Sequence, residues 1–401
     1  MFSGKQQLFL AITILIINRQ CDPENLRYAF NTEWFDAEAS LTRPYLLFYY
    51  PSDCSVELTD SKLNRTFLRR TRVEGVSLDQ LYEGASLHIF GRLMTVLGFA
   101  DDFTRNRLSL VKQRTFAMVK PDAVAHMGEI LKAIQDHGFT VSRMKLTRLS
   151  EEGAAGFYEE HKGKHFFDPL MQFVTSGPVL ALELVAENAV ARWRELIGPT
   201  DSAKAREAAP DSLRARFGTN ATLNAVHGSD SAEAAAREAA FFFPDSRSCR
   251  RPGLPTTACF ANNTCCVILP HLVKAGRVGE VLQAIEAAGF RVAAAEMFYM
   301  ENANAEEFYE IYKGVVPEYG AMVAQLVSGP CVALEITGDG DDLPERFRKC
   351  VGPRDPEMAR HLRPGSLRAR FGVDRVQMGL HCSDLPEDGP LEVDYFFKIL
   401  Q

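Results

Sequence analysis

The chain has 401 residues, 46% of them hydrophobic and 24% charged. At roughly 150 residues per domain that is two or three domains, and so much apolar content excludes disorder over the whole length. The formal net charge of −7 excludes a general nucleic-acid binder, so an anionic ligand would need a local basic pocket.

Taken in chain order, residues 8–17 are apolar except for Thr13 and follow Lys5, in the manner of a signal-peptide core. No small-residue cleavage site follows, and the run is far short of the roughly 20 residues that span a bilayer. Residues 1–21 are therefore expected to be an atypical N-terminal extension, with no membrane partner. The nine cysteines include no C-x-x-C pair, which fits reduced thiols better than a disulfide framework or a zinc site.

Residues 22–110 hold short runs rich in aromatic and branched side chains: Trp34-Phe35, Tyr45 to Tyr50, Val56 to Leu58 and Leu87 to Phe90. Pro51-Ser52-Asp53, Asp60-Ser61-Lys62 and Glu83-Gly84 break them, so this stretch reads as a small, mainly β domain.

From residue 112 the pattern changes. Thr115 to Val119 is a short apolar strand, and Pro121-Asp122 turns the chain. Gly128 to His137 carries Ile130, Leu131 and Ile134 at helical spacing, with Gly138 as its stop. A strand over Phe139 to Leu146, a helix over Glu151 to His161, a strand over Val179 to Leu184 and a helix over Ala189 to Leu196 follow. That order predicts a ferredoxin-like α+β sandwich with helices on one face of an antiparallel sheet. The series then recurs. Ser212 to Gly218 reads SLRARFG, and Ser366 to Gly372 repeats it 154 positions later. The same offset relates Gly198-Pro199 to Gly352-Pro353 and His227 to His381. A domain-sized period means a duplicated domain and not a solenoid. The copies span 112–245 and 263–401, joined by an irregular linker rich in Pro, Ser, Thr and Asn over 246–262.

Moving a terminal phosphate needs a nucleophile and positive groups aimed at the oxygens where charge develops. A histidine, mostly neutral at pH 7, suits the first task, and a carboxylate on its other ring nitrogen would fix its tautomer. His227 lies in Asn224-Ala225-Val226-His227-Gly228-Ser229-Asp230, where Gly228 would leave room for a phosphate to approach. Singly, each candidate has a plain structural reading: Arg194 as a solvated helix residue, Phe166 or Phe167 as core, Lys120 as a turn residue. Together the motif N-x-x-H-G-S-D and the opening Val119-Lys120-Pro121-Asp122 resemble the nucleoside diphosphate kinases, over about residues 112 to 245 and again 263 to 400.

The resemblance implies phosphorylation of His227, with Glu238 on its other ring nitrogen, Ser229 on that glutamate and Tyr158 beside the phosphate. It implies Lys120 at the γ-phosphate and ribose, Arg194, Thr200 and Arg214 at the outer phosphates, Asn224 at the ribose and Phe166 stacked on the base. The substrates would be ATP or another nucleoside triphosphate and a nucleoside diphosphate, with Mg2+ (magnesium) bridging the phosphates and no direct metal ligand from the protein. Pro199 and Arg216 depart from the usual pattern outside these roles. In the second copy His381, Tyr309, Arg348, Arg368, Ser383 and Glu392 remain. Leu269 replaces the lysine, Met378 the asparagine, Pro317 the stacking phenylalanine and Arg354 the threonine, so that copy is expected to be degenerate and mainly structural.

Trp34-Phe35-Asp36 through Arg69 to Arg72 and on to Asp101-Asp102 resembles the DM-ten domain found in proteins of ciliary doublet microtubules. This implies tubulin, microtubule or axonemal partners and a place in the cytoplasm and cytoskeleton, at the cilium axoneme and centrosome. The alternative reading is a structural axonemal (microtubule inner) or γ-tubulin-associated protein with little or no kinase activity.

Overall fold

The computed structural model describes residues 26–36, 39–73, 75–109, 111–244, 254–340 and 342–401; the extension expected over residues 1–21 and the first part of the linker lie outside the described residues. The chain divides into two compact units, residues 1–111 and 112–401.

In the first unit, β1 (Tyr28–Asp36), β2 (Leu41–Tyr50), β3 (Ser55–Asp60), β4 (Arg65–Arg72), β5 (Ser86–Ile89) and β6 (Arg92–Phe99) form one six-stranded sheet in the order β4-β3-β2-β1-β6-β5. Phe30, Leu47, Val56, Leu58, Met94 and Val96 bury one set of alternating positions. Two of the three predicted breaks are tight turns held by aspartates. Asp60 Oδ1 accepts the N–H groups of Lys62 and Leu63, and Asp53 Oδ1 accepts that of Ser55. A short helix α1 (Asp102–Leu108) closes the unit. Asp101 caps it by accepting from Thr104 N at 2.7 Å, and Thr104 Oγ1 accepts from Ala29 N at 2.9 Å.

The second unit opens with β7 (Gln113–Val119), α2 (Met127–Asp136), β8 (Thr140–Thr147), α3 (Glu151–Phe157), α4 (Phe167–Val174), β9 (Val179–Ala186), α5 (Ala189–Ile197), α6 (Ser202–Ala208), α7 (Leu213–Phe217), β10 (Val226–Gly228) and α8 (Ala232–Phe242). The second copy follows the same order: β11 (Asn263–Ile268), α9 (Pro270–Lys274), α10 (Val278–Ala287), β12 (Arg291–Tyr299), α11 (Asn302–Phe308), α12 (Tyr319–Leu326), β13 (Pro330–Thr337), α13 (Leu343–Val351), α14 (Pro356–Leu362), α15 (Leu367–Phe371), β14 (Leu380–Cys382) and α16 (Asp388–Asp394). All eight strands make one sheet, β10-β7-β9-β8-β12-β13-β11-β14, so each copy contributes a ferredoxin-like half and the halves join at β8 and β12.

Helices cover both faces of this sheet and not one, as the sequence suggested. All eight residues of β9 are buried. Leu180, Leu182 and Leu184 pack with Ile130, Leu131 and Trp193 on one face, while Val179 and Ala181 pack with Tyr158, Leu170 and Phe242 on the other. A strand without polar alternation needs two covered faces. The linker has no helix or strand in its described part, 254–262. Its later half is pinned: Thr147 Oγ1 donates to Pro255 O at 2.7 Å, and the buried Glu335 carboxylate accepts from Cys259 N and Phe260 N at 2.7 and 2.8 Å.

The copies meet most closely where α2 crosses α10. A Cβ on Gly128 would lie 2.4 Å from Gln283 N, and one on Gly279 would lie 2.1 Å from Lys132 N. Each helix caps the other. Gly128 N donates to Glu286 Oε1 at 3.2 Å, and Gly279 N donates to Gln135 Oε1 at 2.8 Å. Burial pushes the Glu286 carboxyl up to about 7; the Gly128 N–H pulls it back and the nearby Glu129 carboxylate adds to the rise.

Two outcomes follow from this crossing. Gly279→Ala should cost at least about 1–3 kcal/mol, because backbone and not a flexible side chain blocks the new methyl; an unchanged urea midpoint would contradict the close approach. Because the folded state raises the Glu286 carboxyl, its contribution is fully present below about 4.5 and is lost as pH rises through about 7. Glu286→Gln, which copies Gln135, should stabilise the unit by about 1 kcal/mol at pH 8, after discounting for solvent screening, and by much less at pH 5. Urea titrations at the two pH values measure the difference.

Candidate active site

The site of the first copy grows from the edge strand β10, where His227 pairs with Met118 of β7. His227 Nε2 lies 2.9 Å from Glu238 Oε2 on α8, and Ser229 Oγ donates to the same oxygen at 2.6 Å. Burial works against the charge on Glu238, but the hydrogen bond and charge of His227, with help from Ser229, hold its carboxyl below its ordinary value. An ionised carboxylate can only accept, so Nε2 carries the ring proton and Nδ1 keeps its lone pair. His227 lines a cleft of about 620 Å³, which gives that nitrogen an approach for a reacting atom.

Lys120, Tyr158, Phe166, Arg194, Thr200, Arg214, Asn224 and Glu238 line the same cleft; Ser229 sits behind the glutamate. The nucleotide and catalytic candidates, spread over more than a hundred positions, thus converge. Lys120 is buried, and its Nζ donates to Asn224 Oδ1 at 2.8 Å. Burial lowers the Lys120 ammonium to about 8, with Arg214 pushing the same way and Asp122 opposing. Asn224 Nδ2 donates to Thr200 O and Ala221 O, both at 3.0 Å, so besides any ribose contact this side chain aims the lysine and ties two loops. Arg214 Nη1 donates to Gly198 O at 2.8 Å and Nη2 to Val226 O at 3.1 Å. Burial, with Arg194 nearby, lowers its guanidinium to about 10. Arg194 is exposed and has no protein partner among the described residues. The buried Tyr158 hydroxyl likewise has no hydrogen-bond partner, and burial, with Glu238 nearby, keeps it a neutral phenol. A buried donor without a partner facing a cationic cleft fits an incoming anion.

Phe166 lies at the cleft mouth, 36% exposed. His161 and His165 stand edge-on to its ring at 5.7 and 5.4 Å between centroids. His161, His165, Glu160, Asp230 and Arg237 line the cleft without having been singled out from sequence. Their only sequence signal is closeness to Tyr158, Phe166, His227 and Glu238. Gly228 has a role besides the one expected. A Cβ there would fall 2.4 Å from Trp193 Nε1, and that nitrogen donates to His227 O at 3.3 Å. The glycine makes room for the tryptophan that braces the histidine strand, and it also lines the cleft. Ala225, next to the motif asparagine, has φ 64°, a left-handed conformation costly for a residue with a Cβ.

The sequence profile of the nucleoside diphosphate kinase family matches residues 113–248 and 262–400. The chain belongs to the nucleoside diphosphate kinase family. It is 49% identical over 374 residues to nucleoside diphosphate kinase homolog 7 of Rattus norvegicus, covering 93% of each chain, and 48% identical over the same length to that of Mus musculus, again covering 93% of each. Among solved structures, a halophilic nucleoside diphosphate kinase from Halobacterium salinarum in complex with CDP is 40% identical and covers 33% of this chain and 89% of its own, with a TM-score of 0.32.

The second copy keeps the histidine, glutamate and serine but has closed its cleft. His381 Nε2 is 2.9 Å from Glu392 Oε2, and Ser383 Oγ donates to the same oxygen at 2.9 Å. The His381 side chain is 2% exposed, against 19% for His227. Leu269 replaces Lys120: its N–H bonds Gly379 O as that of Lys120 bonds Ala225 O. Arg348 pairs with Asp384 at 3.3 Å, and Tyr312 OH donates to that aspartate at 2.6 Å. Arg354 packs on Met322 Sδ and over the Tyr312 ring. Arg375 bridges the mouth, 2.8 Å from Asp355 and 3.7 Å from Glu318. Pro317 was expected at the position of Phe166. Backbone bonding instead puts Glu318 there, since Met322 N donates to Glu318 O as Leu170 N donates to Phe166 O; one extra residue precedes this helix.

Tyr158→Phe removes a hydroxyl that has no partner in the protein alone. The melting temperature should hold or rise, while phosphate transfer should slow about tenfold or more if the hydroxyl meets the transferred phosphate. A fall in stability with unchanged turnover would place the hydroxyl in a structural bond instead.

Proposed function

We propose that the first copy is a working nucleoside diphosphate kinase that passes the γ-phosphate of a nucleoside triphosphate, ATP among them, to a nucleoside diphosphate through a phosphohistidine. The observation that carries this reading is the His227–Glu238 pair, which leaves the Nδ1 lone pair facing a basic cleft. In the first half-reaction Nδ1 attacks the γ-phosphorus and the bond to the β,γ-bridging oxygen breaks. The nucleoside diphosphate leaves with those electrons, while Glu238 stabilises the positive charge on the ring. In the second, the β-phosphate oxygen of another nucleoside diphosphate takes the phosphoryl group and frees the histidine. Arg194, Arg214, Lys120 and Tyr158 would carry the charge on the phosphate oxygens. Phe166 would offer a stacking face that any base can use.

Magnesium belongs to the substrate in this reading. The cleft is lined by Lys120, Arg194, Arg214 and Arg237 against the carboxylates Glu160, Asp230 and Glu238, with Asn224 as its one side-chain amide, and no cluster of three potential metal-ligating side chains occurs among the described residues. Such a donor set fits an ion carried by the nucleotide's own phosphates.

The second copy and the first unit serve attachment in the same proposal, placing the protein in the cytoplasm and cytoskeleton, on tubulin, microtubule or axonemal partners at cilia and centrosomes. The resemblance of residues 22–110 to the DM-ten domain supports this, and so does the exposed run of Arg65, Arg69 and Arg72 on edge strand β4, which suits an acidic partner. The second reading, a structural axonemal or γ-tubulin-associated protein with little or no kinase activity, is favoured by the closed second cleft.

Incubation of the purified chain with γ-labelled ATP separates the two. Acid-labile label should appear, move to added GDP, vanish with His227→Ala and persist with His381→Ala. A folded chain that takes no label would leave only the structural reading.

A further inference from the structure

The tandem repeat supplies an internal control, because each surface position of one copy has a counterpart in the other. At the mouth of the first cleft Glu160 and Arg237 meet at 2.9 Å. The same positions in the second copy are Ile311, beside Tyr312, and Leu391, beside Glu392; they are 60% and 68% exposed. Lys164 becomes Val315, 76% exposed, and Ser231 becomes Leu385, 49% exposed. The hydrogen bond from Tyr312 OH to Asp384 at 2.6 Å holds the turn bearing Ile311 next to the segment bearing Leu385. Among the described residues of the first copy, 112–244, the exposed large hydrophobic side chain is Phe166, the base platform. Exchange of an ion pair, a lysine and a serine for four exposed aliphatic side chains around one mouth changes the surface chemistry there, in a copy that also exposes Met358, Leu362, Val373 and Ile399.

The rim of this patch is acidic. Glu310 and Glu387 are exposed and have no partner among the described residues. Burial, then the neighbouring carboxylates Glu392, Glu387 and Asp384, push the Asp388 carboxyl up. Arg348 is already engaged by Asp384, which leaves Lys313 as the cation on the turn from Glu310 to Val315. Residues 263–401 hold 21 acidic and 14 basic side chains, so this copy alone carries the chain's entire net charge of −7.

We propose that the closed second copy has become a docking face for a partner segment that is apolar on one side and basic on its flanks, an amphipathic basic helix laid across Ile311, Val315, Leu385 and Leu391. The apolar stripe supplies contact area, and the carboxylates select for lysine and arginine over acidic competitors. A second copy of this chain is a poor occupant, because it would bring acidic rim against acidic rim. The proposal does not depend on phosphate transfer by the first copy.

The test uses the full chain and a fluorescent Leu/Lys amphipathic peptide of about 18 residues, five helical turns, with its Leu/Glu counterpart beside it. Anisotropy should show binding of the basic peptide, at least tenfold weaker binding of the acidic one, and weakening of the basic complex with added salt. The double substitution Ile311→Glu with Leu391→Arg, which restores the ion pair of the first copy, should weaken the basic peptide at least tenfold. Leu385→Ser should weaken it to a lesser degree. All variants should keep the wild-type melting temperature and any phosphate transfer. No binding by the wild type, equal binding of both peptides, or binding that survives the double substitution overturns the proposal. So does a wild-type dimer in sedimentation that the double substitution dissolves, since the face would then belong to a second copy.

Discussion

Everything in the larger unit hangs on the place where α2 and α10 cross with no side chain between them. Gly128 and Gly279 let two backbones approach until only hydrogens fit, and each helix start is capped by a side chain from the other copy. With that crossing made, β8 and β12 come side by side and two four-stranded halves become one sheet. The apolar face under the helices is then a single core running from Ile130 and Leu182 to Leu282 and Leu334. Neither copy has a separate core on that face, so the stability of the half with the open cleft is bound to the half with the closed one.

The two halves show how one framework can hold an open site and a filled one. Both keep the histidine, the glutamate and the serine at nearly the same distances. What differs is whether the protein satisfies its own charges. In the first copy Arg194 has no protein partner among the described residues, and Lys120 donates to the Asn224 amide. In the second Asp384 occupies Arg348, and Arg375 ties the two lips together through Asp355 and Glu318. Closure comes from internal ligands as much as from lost residues.

Much of this is legible in the sequence. The repeat was plain from SLRARFG and from the collinear histidines, and every residue proposed to line the first cleft does line it or stands directly behind. What escaped has physical reasons. Strand β4 reads RTFLRRTR and sits at a sheet edge, so it has little apolar alternation to show. The two covered faces of the second sheet follow from tertiary packing that a local pattern does not report. The role of Gly228 depends on Trp193, which lies on a different element. The ion pairs that close the second cleft join residues far apart in the chain, and a one-residue insertion placed Glu318, not Pro317, at the lip.

Trp193 and Gly228 of the first copy correspond to Phe347 and Cys382 of the second, a large ring with an absent side chain traded for a smaller ring with a small one. The two positions behave as a single unit of heredity. A change at either alone meets a clash or leaves a hole, so the histidine strand of one copy cannot be grafted into the other unless its helix residue travels with it. The mutational routes by which the halves could exchange parts are correspondingly narrow, and this epistasis would persist even if every residue touching a nucleotide were restored.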